Sequence, residues 1–279
     1  MTIKDRSISP PTRTGICITA LIVTYNQEEF LRDAFNSVRE QTIFDHIKVI
    51  ISDDASTDST FQLAQSLAEG LPNVAVRRNA SNLGVIPHYR HIIPQIDTEL
   101  VAILEGDDLW HNPEKLEKQS ALFHFLPALN GSFTGHTVIT ESSGHRSRHP
   151  LLLGGERSGF AYFEDILQDN PGASFSNCMY RTAILAEALS NDITLVGYDW
   201  LVNLLIADHG PFGYLEGDYA SYRVRTKGTW SQMEESKKLE MKMATISAVA
   251  DYVGPRHRAI IQSLISTIML TDTKGIQEL

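Results

Sequence analysis

Three carboxylates follow directly on a short apolar run in the segment LVAILEGDDLW. Glu105, Asp107 and Asp108 repel one another at this spacing, so a cation or a polar ligand is expected to neutralise them. The pattern indicates a site for a divalent metal and a phosphate. A solvated acidic turn is the alternative, because the Asn-Pro pair at 112–113 resembles the N-cap and first residue of a helix.

Two further polar pairs stand at the ends of apolar, β-branched runs. Tyr25 and Asn26 follow ICITALIVT, and Asp53 and Asp54 follow KVIIS. Runs that are apolar on both faces are typical of strands covered on both sides, as in a parallel sheet. The carboxyl ends of parallel strands meet at one edge of the sheet, where ligands bind. We therefore expect both pairs to lie near the carboxylates of EGDD.

The elements that would position these residues alternate between strands and helices. Strands are predicted at residues 16–24, 48–52, 74–77 and 100–104. Asn26 with Glu29 resembles a capping box for the first helix, and Ser56 or Thr57 is a candidate cap for the second. The alternation predicts an α/β fold, with a mostly parallel central sheet, right-handed crossovers and flanking helices.

Composition excludes several classes of protein. The chain of 279 residues has a formal charge of −10, whereas a nucleic-acid binder needs a basic face. The absence of GxGxxG after the first strand and of GxxxxGK[ST] anywhere disfavours a dinucleotide oxidoreductase and a P-loop NTPase. Cys17 and Cys178 have no metal or disulfide spacing and are expected to be reduced thiols of a cytoplasmic protein. Residues 1–15 are expected to be a disordered leader, not a signal peptide.

Four motifs, taken in order, resemble a known family. They are TYN after the first strand, SDDASTDST after the second, NLG after the third and EGDDLW after the fourth. Together they are similar to the inverting family-2 glycosyltransferases of the GT-A fold, which transfer a sugar from a nucleotide-diphosphate donor. The resemblance implies a nucleotide-diphosphate sugar as partner and a divalent metal, Mn²⁺ or Mg²⁺, as cofactor.

The resemblance also assigns individual residues. Asp54 first and Asp53 second would contact the nucleobase, with Thr24 beside it. Asp108 would bind the metal, and Asp107 would contact the ribose and the metal. By position alone, Arg77 or its neighbour Arg78 would cover the base. The donor-binding set implied in this way is Thr24, Tyr25, Asn26, Asp53, Asp54, Arg77, Asn82, Gly84, Asp107, Arg223 and Arg225.

The second half of the sequence is less regular. Residues 130–140 are predicted to form a strand, followed by ESSGHRSRHP, a polar loop expected to be mobile. The histidines at 136, 145 and 149 fit no metal-ligand spacing, and we interpret them as solvated loop residues. A helix is predicted at 160–167 and a strand at 174–180.

Asp199 lies at the start of the apolar helix predicted from GYDW onward. A structural role is common for an Asp there, because the helix macrodipole favours a negative charge. Family-2 enzymes have an acidic residue at this place as the catalytic base, so the resemblance favours the base reading. Trp200 and Trp110 would then shape the acceptor pocket.

A basic segment follows in DYASYRVRTKGT, which is predicted to be a strand running into a glycine turn. Arg223, Arg225 and Lys227 would form a solvated basic edge or a loop that closes on the donor diphosphate. Similar transferases often have His where this chain has Arg225, and that His can contribute to metal binding. The third metal ligand is therefore left open.

Residues 231–279 are predicted to form two C-terminal helices, separated by Gly-Pro at 254–255. The apolar stretch at 259–270 is interrupted by polar residues and is too short to span a bilayer. These helices could cover the sheet, pair two subunits or rest on the inner face of the cell membrane, and the sequence does not choose between these roles.

The sequence thus predicts a glycosyltransferase in which residues 16–126 bind the nucleotide and residues 127–230 bind the acceptor. It would move a sugar from a UDP- or dTDP-sugar to a glycan or lipid-linked acceptor with inversion, in surface or cell-wall glycan assembly. A nucleotidyltransferase is one alternative, although its Gly-rich basic loop is replaced here by TYNQEE. A nucleotide-sugar-binding protein without turnover is the other.

Overall fold

The computed structural model describes residues 17–149, 159–191, 198–225 and 233–276. The predicted leader, Ile16, Gly197 and Lys227 lie outside these ranges. The described residues form one sheet of nine strands in the order β3-β2-β1-β4-β8-β5-β9-β7, with β6 paired to β5. The strands are β1 (Ile18–Thr24), β2 (Lys48–Asp53), β3 (Val74–Arg78), β4 (Leu100–Glu105), β5 (Gly131–Thr140), β6 (His145–His149), β7 (Phe160–Ala161), β8 (Cys178–Arg181) and β9 (Phe212–Val224).

The first four strands are parallel, as the sequence predicted, and β1 lies between β2 and β4. Thr24 at the end of β1 is opposite Asp53, and the preceding residue, Val23, is opposite Glu105. The register therefore brings the ends of all three strands to one edge of the sheet. In the second half, β5 and β9 are parallel, whereas β8, β6 and β7 pair antiparallel with their neighbours.

Helices cover both faces of the sheet. Because successive strand residues point to opposite faces, Leu21 and Ile103 belong to one core, and Ile22 and Leu104 belong to the other. The α-helices are α1 (Leu31–Arg39), α2 (Thr60–Ala68), α3 (Val85–Ile92), α4 (Lys115–Phe125), α5 (Phe163–Asp169), α6 (Thr182–Ser190), α7 (Tyr198–Asp208), α8 (Glu235–Val249) and α9 (Pro255–Ile276).

Both predicted helix caps were wrong. Helix α1 begins at Leu31 without a side-chain cap, and Asn26 instead accepts a hydrogen bond from the backbone N–H of Thr57 (2.8 Å). Helix α2 begins at Thr60, and the Ser56 hydroxyl accepts a hydrogen bond from the backbone N–H of Asn26 (2.9 Å). These side chains instead link the loop after β1 to the loop after β2. The two loops are neighbours at the edge of the sheet, so their polar groups hydrogen-bond to each other.

The predicted mobile loop after β5 was also wrong. Its residues His145–His149 form β6, which pairs antiparallel with β5 from His136 to Thr140. His136 lies in β5 and is buried, so it is not a solvated loop residue. The predicted helix at 160–167 begins only at Phe163, after the short strand β7.

The C-terminal helices pack against α7. The Asp208 carboxylate at the end of α7 accepts from the backbone N–H of Gly254 (3.1 Å) and lies 2.6 Å from Nδ1 of His257 in α9. His257 also stacks on Phe163 of α5, with ring centroids 4.1 Å apart. Among the described residues, no helix is long and apolar enough to cross a membrane.

Candidate active site

The carboxylate oxygens of Asp54 accept hydrogen bonds from other residues of the protein. Its carboxylate accepts from the Asn79 side chain (2.7 Å) and from the backbone N–H groups of Leu83 and Gly84 (2.9 Å each). Asn82 also donates to its backbone carbonyl. Asp54 is therefore the anchor of the loop between β3 and α3.

Asp53 is differently placed. Its Oδ2 accepts from the backbone N–H of Ser56 (3.0 Å) and lies 3.4 Å from Nε of Arg78. Its Oδ1 is buried and has no hydrogen-bond partner among the described residues. The arginine beside this carboxylate is Arg78, which favours Arg78 over Arg77 for the place that the sequence assigned to either. Asp53, more than Asp54, has a carboxylate oxygen left for a ligand.

Two further buried oxygens near this edge have no partner within the described ranges: Thr24 Oγ1 and Gln27 Oε1. Both surround Gly106, where an added Cβ would come within 2.5 Å of the Gln27 oxygen and 3.0 Å of the Thr24 oxygen. Buried polar atoms in folded proteins nearly always have partners. Together with Asp53 Oδ1, they are three oxygens at this edge that could hydrogen-bond to a polar ligand. Nothing in the sequence marked Gln27.

The edge also holds three non-glycine residues with left-handed backbones. Asn26 has a φ of 52°, Ala55 of 59° and Ala173 of 54°. Asn26 and Ala55 follow β1 and β2, and Ala173 precedes the turn that contacts Glu105 and Asp108. Such conformations cost free energy and cluster at functional sites, where the surrounding structure imposes them. Tyr25, beside Asn26, has an exposed side chain.

Asp108 is buried, with a protein donor on each oxygen. The Ser176 hydroxyl donates to Oδ2 (2.6 Å), and the backbone N–H of Arg223 donates to Oδ1 (2.8 Å). Burial, followed by the neighbouring charge of Asp107, raises the pKa of Asp108 to about 8. The carboxylate thus connects the loop after β4 to the turn before β8 and to β9.

Glu105 is held by the same turn. The Ser174 hydroxyl donates to its Oε2 (3.0 Å), and the Ser176 hydroxyl accepts from its backbone N–H (3.0 Å). Burial raises the pKa of Glu105 well above its ordinary value, and the charges of Asp108, Asp107 and Asp199 raise it further. The two serines were missed, because residues 174–180 were predicted to be a strand. The alternation of serine with larger residues in SFSN also fits a strand, so the sequence did not mark them.

Asp107 is partly exposed, whereas its neighbour Asp108 is buried. The Asp107 side chain is 20% exposed, and Nη1 of Arg225 lies 3.4 Å from its Oδ2. Burial raises the pKa of Asp107, and the Arg225 guanidinium opposes the rise. Arg223 donates to the Asp107 carbonyl, and both guanidinium groups lie over the Phe30 ring, at 4.9 and 4.6 Å. The structure therefore brings both predicted arginines to the acidic cluster.

Asp199 lies in the first turn of α7, as predicted. Its Oδ2 accepts from the Asn170 side chain (2.9 Å). Burial raises its pKa to about 6, against hydrogen bonds from the Trp200 backbone and from Asn170 that lower it. Its charge in turn raises the pKa of Glu105, which places both carboxyl groups in one electrostatic environment.

A cavity of about 300 Å³ opens beside this cluster. It is lined by residues of the loop after β1 and by Phe30, Asp58, Glu141 and Arg225. Arg225 lines this cavity and also lies beside Asp107.

The sequence profile of Glycosyl transferase family 2 matches residues 19–189, more than half of the chain. The chain belongs to that family. A protein of Mycobacterium tuberculosis, uncharacterised protein Rv1520, is 28% identical over 259 residues, which cover 90% of this chain and 73% of the relative.

Two solved structures share the GT-A fold of this family-2 transferase. Residues 1–349 of Staphylococcus aureus TarS, in complex with UDP-GlcNAc, match with a TM-score of 0.67 at 19% identity, covering 88% of this chain and 70% of that one. TarS is named a poly(ribitol-phosphate) beta-N-acetylglucosaminyltransferase. Mannosyltransferase PcManGT from Pyrobaculum calidifontis, with GDP-Man and Mn²⁺, matches with a TM-score of 0.55 at 14% identity, covering 90% and 80%.

The donor set of this family-2 transferase fits a divalent cation shared with a diphosphate. Within the described ranges, no group of three His, Cys, Asp or Glu side chains could hold a metal alone. Mg²⁺ is commonly held by one or two carboxylates together with substrate phosphates. Asp107 offers such a carboxylate, whereas both Asp108 oxygens already have protein donors. Asp107 also has a protein partner, Arg225, but its side chain is 20% exposed and accessible to a ligand.

The two tryptophans assigned to the acceptor pocket are packing residues. Trp110 is 1% exposed; its indole donates to the Ser176 carbonyl (2.7 Å), and the Lys115 ammonium lies over its ring at 4.5 Å. Trp200 is 9% exposed, and its indole donates to the Ile166 carbonyl (2.6 Å). Because the surrounding protein buries both side chains, neither presents an open face to an acceptor, contrary to the sequence assignment.

Proposed function

We propose that this chain transfers a sugar from a UDP- or dTDP-sugar to an acceptor hydroxyl with inversion, in surface or cell-wall glycan assembly. The observation that carries the proposal is the place and the raised pKa of the Asp199 carboxyl group. This partly buried carboxyl group, with its pKa raised to about 6, lies at the start of α7, and its charge raises the pKa of Glu105 in the acidic cluster. A general base works best with a pKa near the working pH, and this one is raised toward it.

The donor would lie along the edge formed by β1, β2 and β4. Asp53 Oδ1, Thr24 Oγ1 and Gln27 Oε1 would gain partners from the nucleoside, with Arg78 beside Asp53. Tyr25 and Asn26 follow directly on β1 and would border the same subsite. Asp54 supports this subsite through the loop that it anchors, together with Asn82 and Gly84.

The diphosphate would lie between Asp107 and the two arginines. Asp107 would hold a divalent cation, which when bound supplies Lewis-acid stabilisation of the leaving group. Arg223 and Arg225 add positive charge at the same place, and Asp108 fixes the β4 end on which Asp107 stands. In an acidic protein, this arrangement concentrates cationic groups where the leaving group gains charge.

Asp199 would remove the proton from the acceptor hydroxyl as the hydroxyl oxygen attacks the anomeric carbon of the donor sugar. The carbon–oxygen bond to the acceptor forms on the face opposite the breaking bond to the diphosphate, so the configuration inverts. The nucleoside diphosphate leaves with the bonding electron pair. Holding base, acceptor and donor in one geometry converts the encounter into an intramolecular step.

The test is a panel of UDP-, dTDP- and GDP-sugars with Mn²⁺, scored by release of free nucleoside diphosphate. One donor should be consumed, first by slow hydrolysis and faster with a glycan acceptor. Asp199→Asn should lower transfer by about 10²–10⁴-fold, the usual contribution of a general base, and leave donor affinity unchanged. Asp33→Asn, an exposed aspartate of α1, is the matched control.

Three outcomes would contradict parts of the proposal. Nucleotide-sugar binding without turnover would support the non-catalytic alternative. Joining of a sugar phosphate to a nucleoside triphosphate would support nucleotidyl transfer. Undiminished transfer by Asp199→Asn would remove the base assignment while leaving the donor site intact.

A further inference from the structure

A directional chain of hydrogen bonds ends on Asp199. The Tyr180 hydroxyl donates to Oδ1 of Asn203 (2.8 Å), Nδ2 of Asn203 donates to Oδ1 of Asn170 (3.0 Å), and Nδ2 of Asn170 donates to Oδ2 of Asp199 (2.9 Å). Tyr180 and Asn203 are buried, at 0% and 2% exposure. The chain joins β8, α7 and the C-terminal end of α5.

The direction of this chain follows from the chemistry of its ends. An ionised carboxylate only accepts hydrogen bonds, so Asn170 must turn its amide NH₂ toward Asp199. The oxygen of Asn170 then faces Asn203, and the oxygen of Asn203 faces the hydroxyl of Tyr180. Burial raises the pKa of Tyr180 well above its ordinary value, so its hydroxyl remains a donor. Each amide therefore has one favourable orientation.

Asn170 contacts Asp199 directly from the end of α5, and Asn203 contacts Asn170 from the same helix as Asp199. Asn203 is four residues after Asp199, so both lie on one face of α7. Asn170 is the C-cap residue of α5, directly after its last helical residue. This chain of hydrogen bonds, here called the relay, therefore links the start of α7 to the end of α5.

We propose that Asn170 is a positioning residue for the base, with Asn203 and Tyr180 fixing its orientation, and that it directs the second carboxylate oxygen of Asp199 toward the acceptor hydroxyl. This inference rests on the proposed function of Asp199. A hydrogen bond to the charged form also keeps the carboxylate ionised against burial, which acts in the opposite direction.

The charge of Asp199 acts on titratable groups of the surrounding elements. On β4 and α3 they are Glu105 and Tyr89, on β8 they are Cys178 and Tyr180, and on β9 it is Tyr222. The tyrosines and the thiol have pKa values raised by burial and are neutral near pH 6. Asn170 is thus the side chain that can be altered without changing these charges.

The experiment compares the pH dependence of kcat in wild type, Asn170→Ala and Asn170→Asp. Asn170→Ala should lower kcat roughly 10- to 100-fold, within the range of a misaligned general base, and leave the donor KM within about twofold. The apparent pKa of kcat should rise in Asn170→Ala, because the charged form loses a donor. It should rise further in Asn170→Asp, which is isosteric but places a second negative charge beside Asp199.

Asn203→Leu tests the relay itself. Removing its amide should raise the same apparent pKa, and the effect should be smaller in an Asn170→Ala background, because both changes act through one hydrogen bond. The control is Asn73→Ala, which loses hydrogen bonds to the carbonyls of Phe44 and Ile47 away from the site. It should lower stability without moving the pH profile.

Failure of this inference and failure of the proposed function give different results. If Asp199→Asn abolishes transfer but both Asn170 variants keep the wild-type pH profile, the positioning role is wrong. If no nucleotide sugar is turned over, carboxyl ¹³C NMR titration still measures the pKa of Asp199, with Asp199→Asn identifying its signal. An unchanged titration in Asn170→Ala and Asn170→Asp would overturn the inference without reference to activity.

Discussion

Asp199 experiences two opposing influences on its proton. Burial disfavours the carboxylate, while the helix N-terminus and the Asn170 amide favour it. An exposed aspartate would titrate near 3.9, too low to remove a proton efficiently from a hydroxyl at neutral pH. The raised pKa of about 6 therefore answers the difficulty that a dipole-stabilised carboxylate is a weak base.

The pH dependence of transfer follows from this value. The base acts in its deprotonated form, so kcat should rise with pH and reach half its plateau at about pH 6. Because the pKa of Asp199 is raised in the folded state, folding favours its protonated form. The contribution of this group to the free energy of unfolding therefore falls as the pH rises from about 4 to about 6. Steady-state rates between pH 4.5 and 8 measure the profile. A half-maximum near pH 4 would contradict the assignment.

Asp107 and Asp108 are adjacent in sequence but should respond differently to substitution. Asp107→Asn should remove the increase in nucleoside-diphosphate affinity that Mn²⁺ produces, because a neutral amide is a poor ligand for a hard cation. Asp108→Asn should keep that increase and instead lower stability, since Asp108 accepts from Ser176 and Arg223. Calorimetric titration of UDP with and without Mn²⁺ measures the difference. Equal loss in both variants would contradict the division of roles.

At the scale of elements, α7 is fixed at both ends. Asn170 contacts Asp199 in its first turn, and Gly254 and His257 contact Asp208 in its last residue. A carboxylate at a helix C-terminus is opposed by the macrodipole, so Asp208 needs these partners from outside the helix. The two contacts hold α7 along its axis, and with it the proposed base.

Asp208→Asn should therefore weaken the C-terminal contact. The amide cannot accept at both positions, so we expect a loss of about 1–3 kcal/mol in the free energy of unfolding. Transfer should also fall, with donor affinity unchanged. Denaturant unfolding and donor titration measure these effects. Asp251→Asn, an exposed aspartate at the end of α8, is the control and should change neither quantity.

Across the whole molecule, the sequence predicts well whatever depends on local patterning. The runs ending at Thr24 and Asp53 are apolar on both faces, which identifies central parallel strands before their partners are known. Convergence of Asp53 and Asp107 follows from the same reasoning, because parallel strands end at one edge. The fold of the first half of the chain was therefore predictable without a structure.

The contacts that organise the site were not predictable, because they join distant parts of the chain. Ser176 is 68 residues from Asp108, and Asn170 is 29 residues from Asp199. Small polar side chains such as these have no periodic pattern, and the same residue types are common in turns. The misassignment of Asn26 as a cap has the same origin, since its partner Thr57 is on another loop.

The anchoring of α7 by the segment before α9 has a consequence for the order in which the protein is made. Synthesis proceeds from the N-terminus, so β1, β2 and β4, with the donor edge, emerge long before Gly254 and His257. Domains commonly begin to fold during synthesis. The strands of the proposed donor edge therefore leave the ribosome before the residues that hold the proposed base, and Asp208 gains its partners only after the start of α9 has been made.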